Sequence, residues 1–353
     1  MRISALEKLI NKKFCMLTKN GSTAFYVLIK CLGIKNKIII IPANICFDMV
    51  LTILFSGNKP AVLDVDKNQC LSYNSLKKFK NMKNVGAIIY PYMYGNYGEV
   101  FKIKNFAKKN NTYFIEDVAP SLGLKISNKY AGNISDYSFC SFGQGKIVDM
   151  NIGGSLNVDS QEVYDRACHH YSNLKIFLKK NKKKYFQLNK IYGNIIDKKI
   201  SKKEFRISNL KKYKDCLISK YNFSKKFLKL LNTQVSKIHK INSERNMKAQ
   251  LFQKMINSRK INLIKHKKGA VYWRQNALVE NDRDQLIRYL SLKNIYVRKY
   301  FPSLDNVFPF ISKKNLKLVK KFESKILNFW VGNETTKKNI IATNNHLKYF
   351  FAS

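Results

Sequence analysis

Short apolar runs alternate with segments of helical period along the first 160 residues. Apolar side chains recur at helical spacing over 22–32, and the pattern stops at Gly33, a residue suited to the position after a helix. The run 37–41 (KIIII) predicts a buried strand, and 47–55 predicts a helix closed by Gly57. Strands are expected at 61–65 and 87–90, with a helix over 76–79 between them. A further helix is expected at 100–108, followed by a strand at 113–117 (YFIED) that ends on two acids. Strands separated by helices form βαβ units, so the pattern predicts an α/β fold with a mainly parallel sheet covered on both faces.

Beyond residue 160 the texture becomes long and lysine-rich. The clearest amphipathic segment is 243–256 (SERNMKAQLFQKMI), with Ser243 as the expected N-cap. A strand over 271–279, a helix over 283–292 and a strand over 295–297 return the tail to mixed α/β. The run 179–184 (KKNKKK) reads as an exposed loop or helix face.

Composition changes this picture little. The 353 residues are long enough for two domains, and 45% are hydrophobic, enough for a sizeable core. Seven cysteines stand far apart without a C-x-x-C pair, which predicts neither a zinc site nor a disulfide framework and suits a reducing cytosol. The start, MRISALEKLINKKF, has no apolar stretch of signal-peptide type. The apolar run 38–55 approaches transmembrane length, but Pro42, Asn44 and Asp48 interrupt it. A carboxylate at the bilayer centre costs about 3 kcal/mol, so strand, loop and helix is the better reading, with no membrane insertion. Net charge is +44, almost all of the excess lysine and spread along the chain beside abundant Asn, Ile and Tyr. That distribution fits an AT-rich coding sequence better than nucleic-acid recognition, which favours arginine forks.

Three segments carry candidate chemistry. Asn20-Gly21-Ser22-Thr23 precedes the first long helix, where amides, a hydroxyl and the helix dipole can hold phosphate or simply cap the helix. Glu116-Asp117 closes a strand at the edge where ligands gather in open α/β sheets, though capping acids are common there. Ser141-Phe-Gly-Gln-Gly-Lys146 is a Ser/Gly turn ending in a lysine and followed by Gly153-Gly154. Such a turn can cradle phosphate while the amine reaches an aldehyde, yet one lysine among so many is a weak signal.

Taken together the segments resemble the DegT/DnrJ/EryC1/StrS family of sugar aminotransferases. NGSTAF resembles the family's S-G-T-A-A-L turn, and IIIPANICF with AVLDVD resembles its next two strands. YPYMYG is similar to v-H-x-Y-G, and IEDVAPSLG to v-i-E-D-A-A-x-x-x-G. SFGQGK followed by Gly153-Gly154 keeps the S-F-x-x-x-K spacing and the double glycine in register. The resemblance implies the fold-type-I architecture of pyridoxal 5'-phosphate (PLP) enzymes. That architecture has a large domain with a mostly parallel seven-stranded sheet between helices, plus a small C-terminal α/β domain. SERNMKAQLF and YWRQNALVENDRDQL are similar to the family's C-terminal helix and strand, which divides the chain into 1–240 and 241–353.

By the same resemblance Lys146 is the catalytic residue, holding PLP as a Schiff base and shuttling a proton. Asp117 is the partner of the pyridinium nitrogen, Gly21, Ser22 and Ser141 are phosphate ligands, and Ala119 lies by the ring. The implied reaction moves an amino group, glutamate the expected donor, to a nucleotide-linked keto sugar for surface polysaccharide or amino-sugar biosynthesis. The implied assembly is a cytoplasmic homodimer. The family's dehydratase branch carries His where this chain has Lys146. Departures from the pattern are Pro120 in place of Gln or His, Cys46 in place of a stacking aromatic, and a short N-terminal leader. Glu204-Phe205-Arg206 stands where the family's N-x-R contact to the partner's phosphate aligns. These departures leave an alternative, a catalytically degenerate member that acts as a binding or regulatory protein. Arg274 and Arg298 read either as surface arginines or as contacts to an anionic nucleotide sugar.

Overall fold

A computed structural model describes residues 1–313 and 315–352. Seven strands form the main sheet: β1 (Phe14–Thr18), β2 (Ile38–Pro42), β3 (Lys59–Leu63), β4 (Val85–Pro91), β5 (Tyr113–Asp117), β8 (Tyr137–Ser141) and β9 (Gly154–Val158). A small hairpin, β6 (Lys125–Ile126) and β7 (Lys129–Tyr130), lies between β5 and β8. The sheet order is β1-β9-β8-β5-β4-β2-β3, and β9 alone runs against its neighbours.

The strands are apolar on both faces because both faces are covered. Ile39 and Ile41 join one buried cluster, with the helices Gly21–Cys31 and Phe47–Phe55, while Ile40 between them joins the other, with the helices Ser4–Ile10 and Val100–Lys109. The same split separates Ala87 and Ile89 from Ile88 and Tyr90 on β4. Each alternation is the period-2 signature of a strand, with an apolar residue at either phase.

The C-terminal part adds a second sheet of β10 (Ile261–Leu263), β11 (Gln275–Val279), β13 (Ile326–Phe329) and β12 (Val297–Arg298), in that spatial order and antiparallel. Its core gathers Ala249, Phe252, Leu286, Leu290, Leu327, Phe329 and Leu347.

Two expectations shift by several residues. The helix expected to open at Ser243 begins five residues earlier and runs over Ile238–Met255. Its buried face is Ile238, Asn242, Arg245, Ala249 and Phe252, so two polar residues interrupt the apolar stripe that periodicity reads. The strand expected from 271 begins at Gln275, because the preceding residues pair with a turn instead. Val271 N–H donates to Gly95 O (2.9 Å) and Trp273 N–H to Tyr94 O (3.1 Å). The lysines of 179–184 lie exposed on the first turns of a helix, Lys179–Ile196, whose other face is buried.

Candidate active site

Six of the seven main strands point the same way, so their carboxyl ends deliver residues to one edge. β1 leads to Asn20-Gly21-Ser22, β2 to Cys46, β5 ends on Asp117, and β8 leads from Ser141 to Lys146. Gly153 and Gly154 enter β9 at the same edge.

The helix Gly21–Cys31 begins there. Asn20 is its N-cap, with the side-chain oxygen accepting from Thr23 N–H at 2.8 Å. Gly21 is packed against the β8 exit: a Cβ at that position would stand 3.1 Å from the Ser141 Cβ. Gly154 has a stricter reason to be glycine, since a Cβ there would fall 2.3 Å from the Asn20 carbonyl carbon and 2.6 Å from Gly21 N. The double glycine thus lets β9 run against the backbone of the helix start. Gly21 and Ser141, more than a hundred residues apart in sequence, come together at this edge.

Asp117 is buried, and its carboxylate accepts from Ala119 N–H at 2.9 Å. Burial raises its pKa to about 6, against the pull of the nearby Lys146 ammonium. Its neighbour Glu116 faces the other side of β5. There Glu116 accepts from Tyr92 Oη and from the amides of Gly132, Ile134 and Ser135, and so holds the loop before β8. The two acids therefore separate: Asp117 faces the site, and Glu116 anchors a loop. Pro120 lies in the turn that Ala119 opens.

Lys146 is half-buried in the turn after β8. Its Nζ lies 5.5 Å from the Trp273 ring centroid. The turn itself is held by Gly145 N–H to Asp149 Oδ2 at 2.6 Å and Lys146 N–H to Gly143 O at 3.2 Å. Cys46 is half-buried and sits in the fields of Lys146, Asp117 and Asp48, with burial pushing its thiol up to about 12. A thiol so protonated is no nucleophile.

Several site residues were not legible as such. Asp48 marks a break in the apolar run, and here it is buried, accepting from Tyr185 Oη at 3.0 Å while its Oδ1 has no partner among the described residues. Burial raises Asp48 to about 6, opposed by Tyr185, Lys19 and Lys146. Lys19 is buried, donates to Cys216 O at 2.7 Å, and is drawn down to about 8 by burial. Arg274 is not a surface residue: it is 2% exposed, whereas Arg298 is exposed. Glu204 and Arg206 are exposed, flanking Phe205, which is buried against Phe47 and Phe308.

A model of the DegT/DnrJ/EryC1/StrS aminotransferase family matches residues 4–341 of the chain. The chain belongs to that family. Members of the DegT/DnrJ/EryC1/StrS family use PLP, and the whole fold matches theirs. The chain is similar to S. venezuelae DesV solved with a ketimine intermediate, with TM-score 0.78 and 15% identity over 98% of this chain and 87% of that one. It is similar to the E. coli GDP-4-keto-6-deoxy-D-mannose-3-dehydratase with bound hydrated PLP, with TM-score 0.74 and 15% identity over 98% and 90%. Among curated relatives, the GDP-perosamine synthase of Escherichia coli O157:H7 is 28% identical over 158 residues. That stretch spans 44% of this chain and 43% of the relative, less than half of either. Among the described residues no helix is long and apolar enough to cross a membrane.

Proposed function

We propose that the protein is a PLP-dependent aminotransferase that transfers an amino group from an amino acid, glutamate the expected donor, to a keto sugar carried on a nucleotide. The observation that carries this reading is the meeting of Lys146 and Asp117, with the Gly21–Ser22 helix start and Ser141, at one sheet edge. The residues fit the cofactor on two grounds. Asp117 is a buried carboxylate whose protein partners are one amide and the Lys146 field, as a pyridinium counter-ion requires. The Gly21–Ser141 approach forms a backbone-lined cradle at a helix N-terminus, as phosphate requires.

When bound, the cofactor supplies an aldehyde to the lysine amine and an electron sink to the substrate carbon. Ser22, Ser141 and the helix start would hold its phosphate, and Ala119 would lie by its ring. Asp117, ionised in that company, would keep a proton on the ring nitrogen through an opposite charge in a buried place. Lys146 Nζ would serve as general base and acid, taking a proton from the donor carbon and returning one to the acceptor carbon. Asp48 and Asp117 are buried near that nitrogen, and Cys46 is half-buried.

The same reading makes the chain a homodimer of the cytoplasm, divided at residue 240 into a large and a small domain. Its product would be an amino sugar for a surface polysaccharide or lipopolysaccharide, a context supported by the GDP-perosamine synthase similarity. The test is the first half-reaction. Purified protein loaded with PLP is mixed with glutamate, and the visible band of lysine-held cofactor is followed. Conversion to the pyridoxamine form with release of 2-oxoglutarate is expected. A band that forms and then ignores every amino acid supplied would contradict the transferase reading and favour a binding role.

A further inference from the structure

The turn that carries Lys146 is gripped from the C-terminal part of the chain by side chains that the proposed chemistry does not use. Trp273 Nε1 donates to Gly145 O at 2.7 Å, and Arg274 Nη2 reaches the same carbonyl at 3.3 Å. Arg245 Nη2 reaches Lys146 O at 3.5 Å. Both guanidiniums also converge on Trp273 O, Arg274 Nη1 at 2.9 Å and Arg245 Nη1 at 3.2 Å.

Arg274 lies between two indoles, 4.4 Å from the Trp273 centroid and 3.2 Å from that of Trp330. Trp330 is fixed in turn by donating to Glu334 Oε2 at 2.7 Å. Gly145 completes the fit. It has φ +79°, and a Cβ there would stand 3.2 Å from both Arg274 Nη2 and Trp330.

This arrangement is costly as packing alone. Arg245 and Arg274 are 5% and 2% exposed, and each has an Nε without a partner among the described residues. No direct ion pair to either is found among the described residues. Two like charges buried side by side, held mainly by carbonyls, would be replaced at a gain in stability by apolar residues of similar volume. What the pair does hold is the two carbonyls that flank the Lys146 Cα, Gly145 O and Lys146 O.

We propose that Arg274, stacked between Trp273 and Trp330, is a positioning residue that fixes the Lys146 turn so that the amine reaches the cofactor aldehyde. This rests on the cofactor reading above. The bond concerned forms when the Lys146 amine condenses with the aldehyde and one water leaves, with no change of oxidation state. A displaced turn slows that condensation without touching the phosphate cradle at Gly21, Ser22 and Ser141. The grip also joins the C-terminal sheet to the reacting amine through a rigid cation–π stack.

The experiment separates lysine-dependent from lysine-independent binding. Pyridoxamine phosphate has no aldehyde, so its affinity reads the cradle alone, while the rate at which PLP develops the lysine-held band reads the turn. Arg274→Gln is expected to leave pyridoxamine phosphate affinity within about twofold and slow condensation about tenfold or more, as positional errors of this kind do. The sequence has only two tryptophans, and both flank Arg274, so emission of the cofactor-free protein should shift to the red in this variant. Equal losses in both binding assays would mark a merely structural role and overturn the proposal, as would a rate and emission like the wild type's. If Arg274→Gln does not unfold cooperatively, Trp330→Leu is read in the same two assays with the same expectations. Wild-type protein that never develops the band would instead overturn the cofactor reading.

Discussion

Glu116 and Asp117 are neighbours on β5 whose carboxylates serve opposite faces of the sheet, one tying down the loop before β8 and the other facing Lys146. Glu116 accepts from three amides and a tyrosine hydroxyl in a fully buried place. Replacing it by Gln swaps an acceptor for a donor that faces N–H groups. Glu116→Gln is expected to cost about 2–4 kcal/mol in urea unfolding, with cofactor capacity per folded molecule preserved.

Asp117 shows the opposite balance of stability and function. Its folded pKa of about 6 lies above the usual carboxylate value, so the folded protein binds the proton more tightly than the unfolded chain. Stability from this group is therefore fully present below about pH 4 and is lost as pH rises through about 6. Asp117→Asn removes the buried charge. Without cofactor, the variant should be more stable than wild type at pH 8, by up to about 2–3 kcal/mol, and no more stable near pH 4. Thermal melts at the two pH values check the sign. The same variant should lose at least about a hundredfold in the glutamate half-reaction, because nothing then holds the ring nitrogen charged.

Tyr185 donates to Asp48 across the space between the Lys179–Ile196 helix and the Phe47–Phe55 helix. Asp48 is also raised to about 6, so the bond is charge-assisted at pH 8 and neutral at pH 5. Tyr185→Phe should cost about 1.5–3 kcal/mol at pH 8 and only about 0.5–1.5 kcal/mol at pH 5. Chemical denaturation at both values measures the difference. A penalty independent of pH would remove Asp48 from the account.

Gly154→Ala tests the closeness of β9 to the helix start. The new Cβ would meet backbone atoms of Asn20 and Gly21, which cannot rotate away as a side chain can. A loss of about 3 kcal/mol or more is expected. In whatever fraction folds, pyridoxamine phosphate affinity should fall about tenfold, since the same displacement spoils the cradle. Isothermal titration beside a melt separates the two effects.

Much of the fold was legible because the sheet is buried on both faces. The all-isoleucine run that becomes β2 permits little else, and Gly33 and Gly57 close their helices with φ +65° and +84°. The three candidate segments were legible as motifs, yet only the parallel topology brings them to one edge. The grip on Lys146 was not legible. Trp273 and Arg274 sit before β11, where Val271 and Trp273 pair with a turn at Tyr94–Gly95 and Arg274 reaches Gly145, so the partners lie far off in sequence. Arg274 in a lysine-rich chain reads as surface charge until burial shows otherwise. Asp48 announced itself only as an interruption of an apolar run, and its partner Tyr185 follows the exposed lysines.

The central claim is that one lysine among very many, Lys146, holds the cofactor. Protein loaded with PLP is reduced with borohydride, digested, and mapped by mass spectrometry. The account predicts one stoichiometric pyridoxyl adduct, on Lys146, and neither adduct nor visible band in Lys146→Ala. A principal adduct on any other lysine, or an undiminished band in Lys146→Ala, would contradict it.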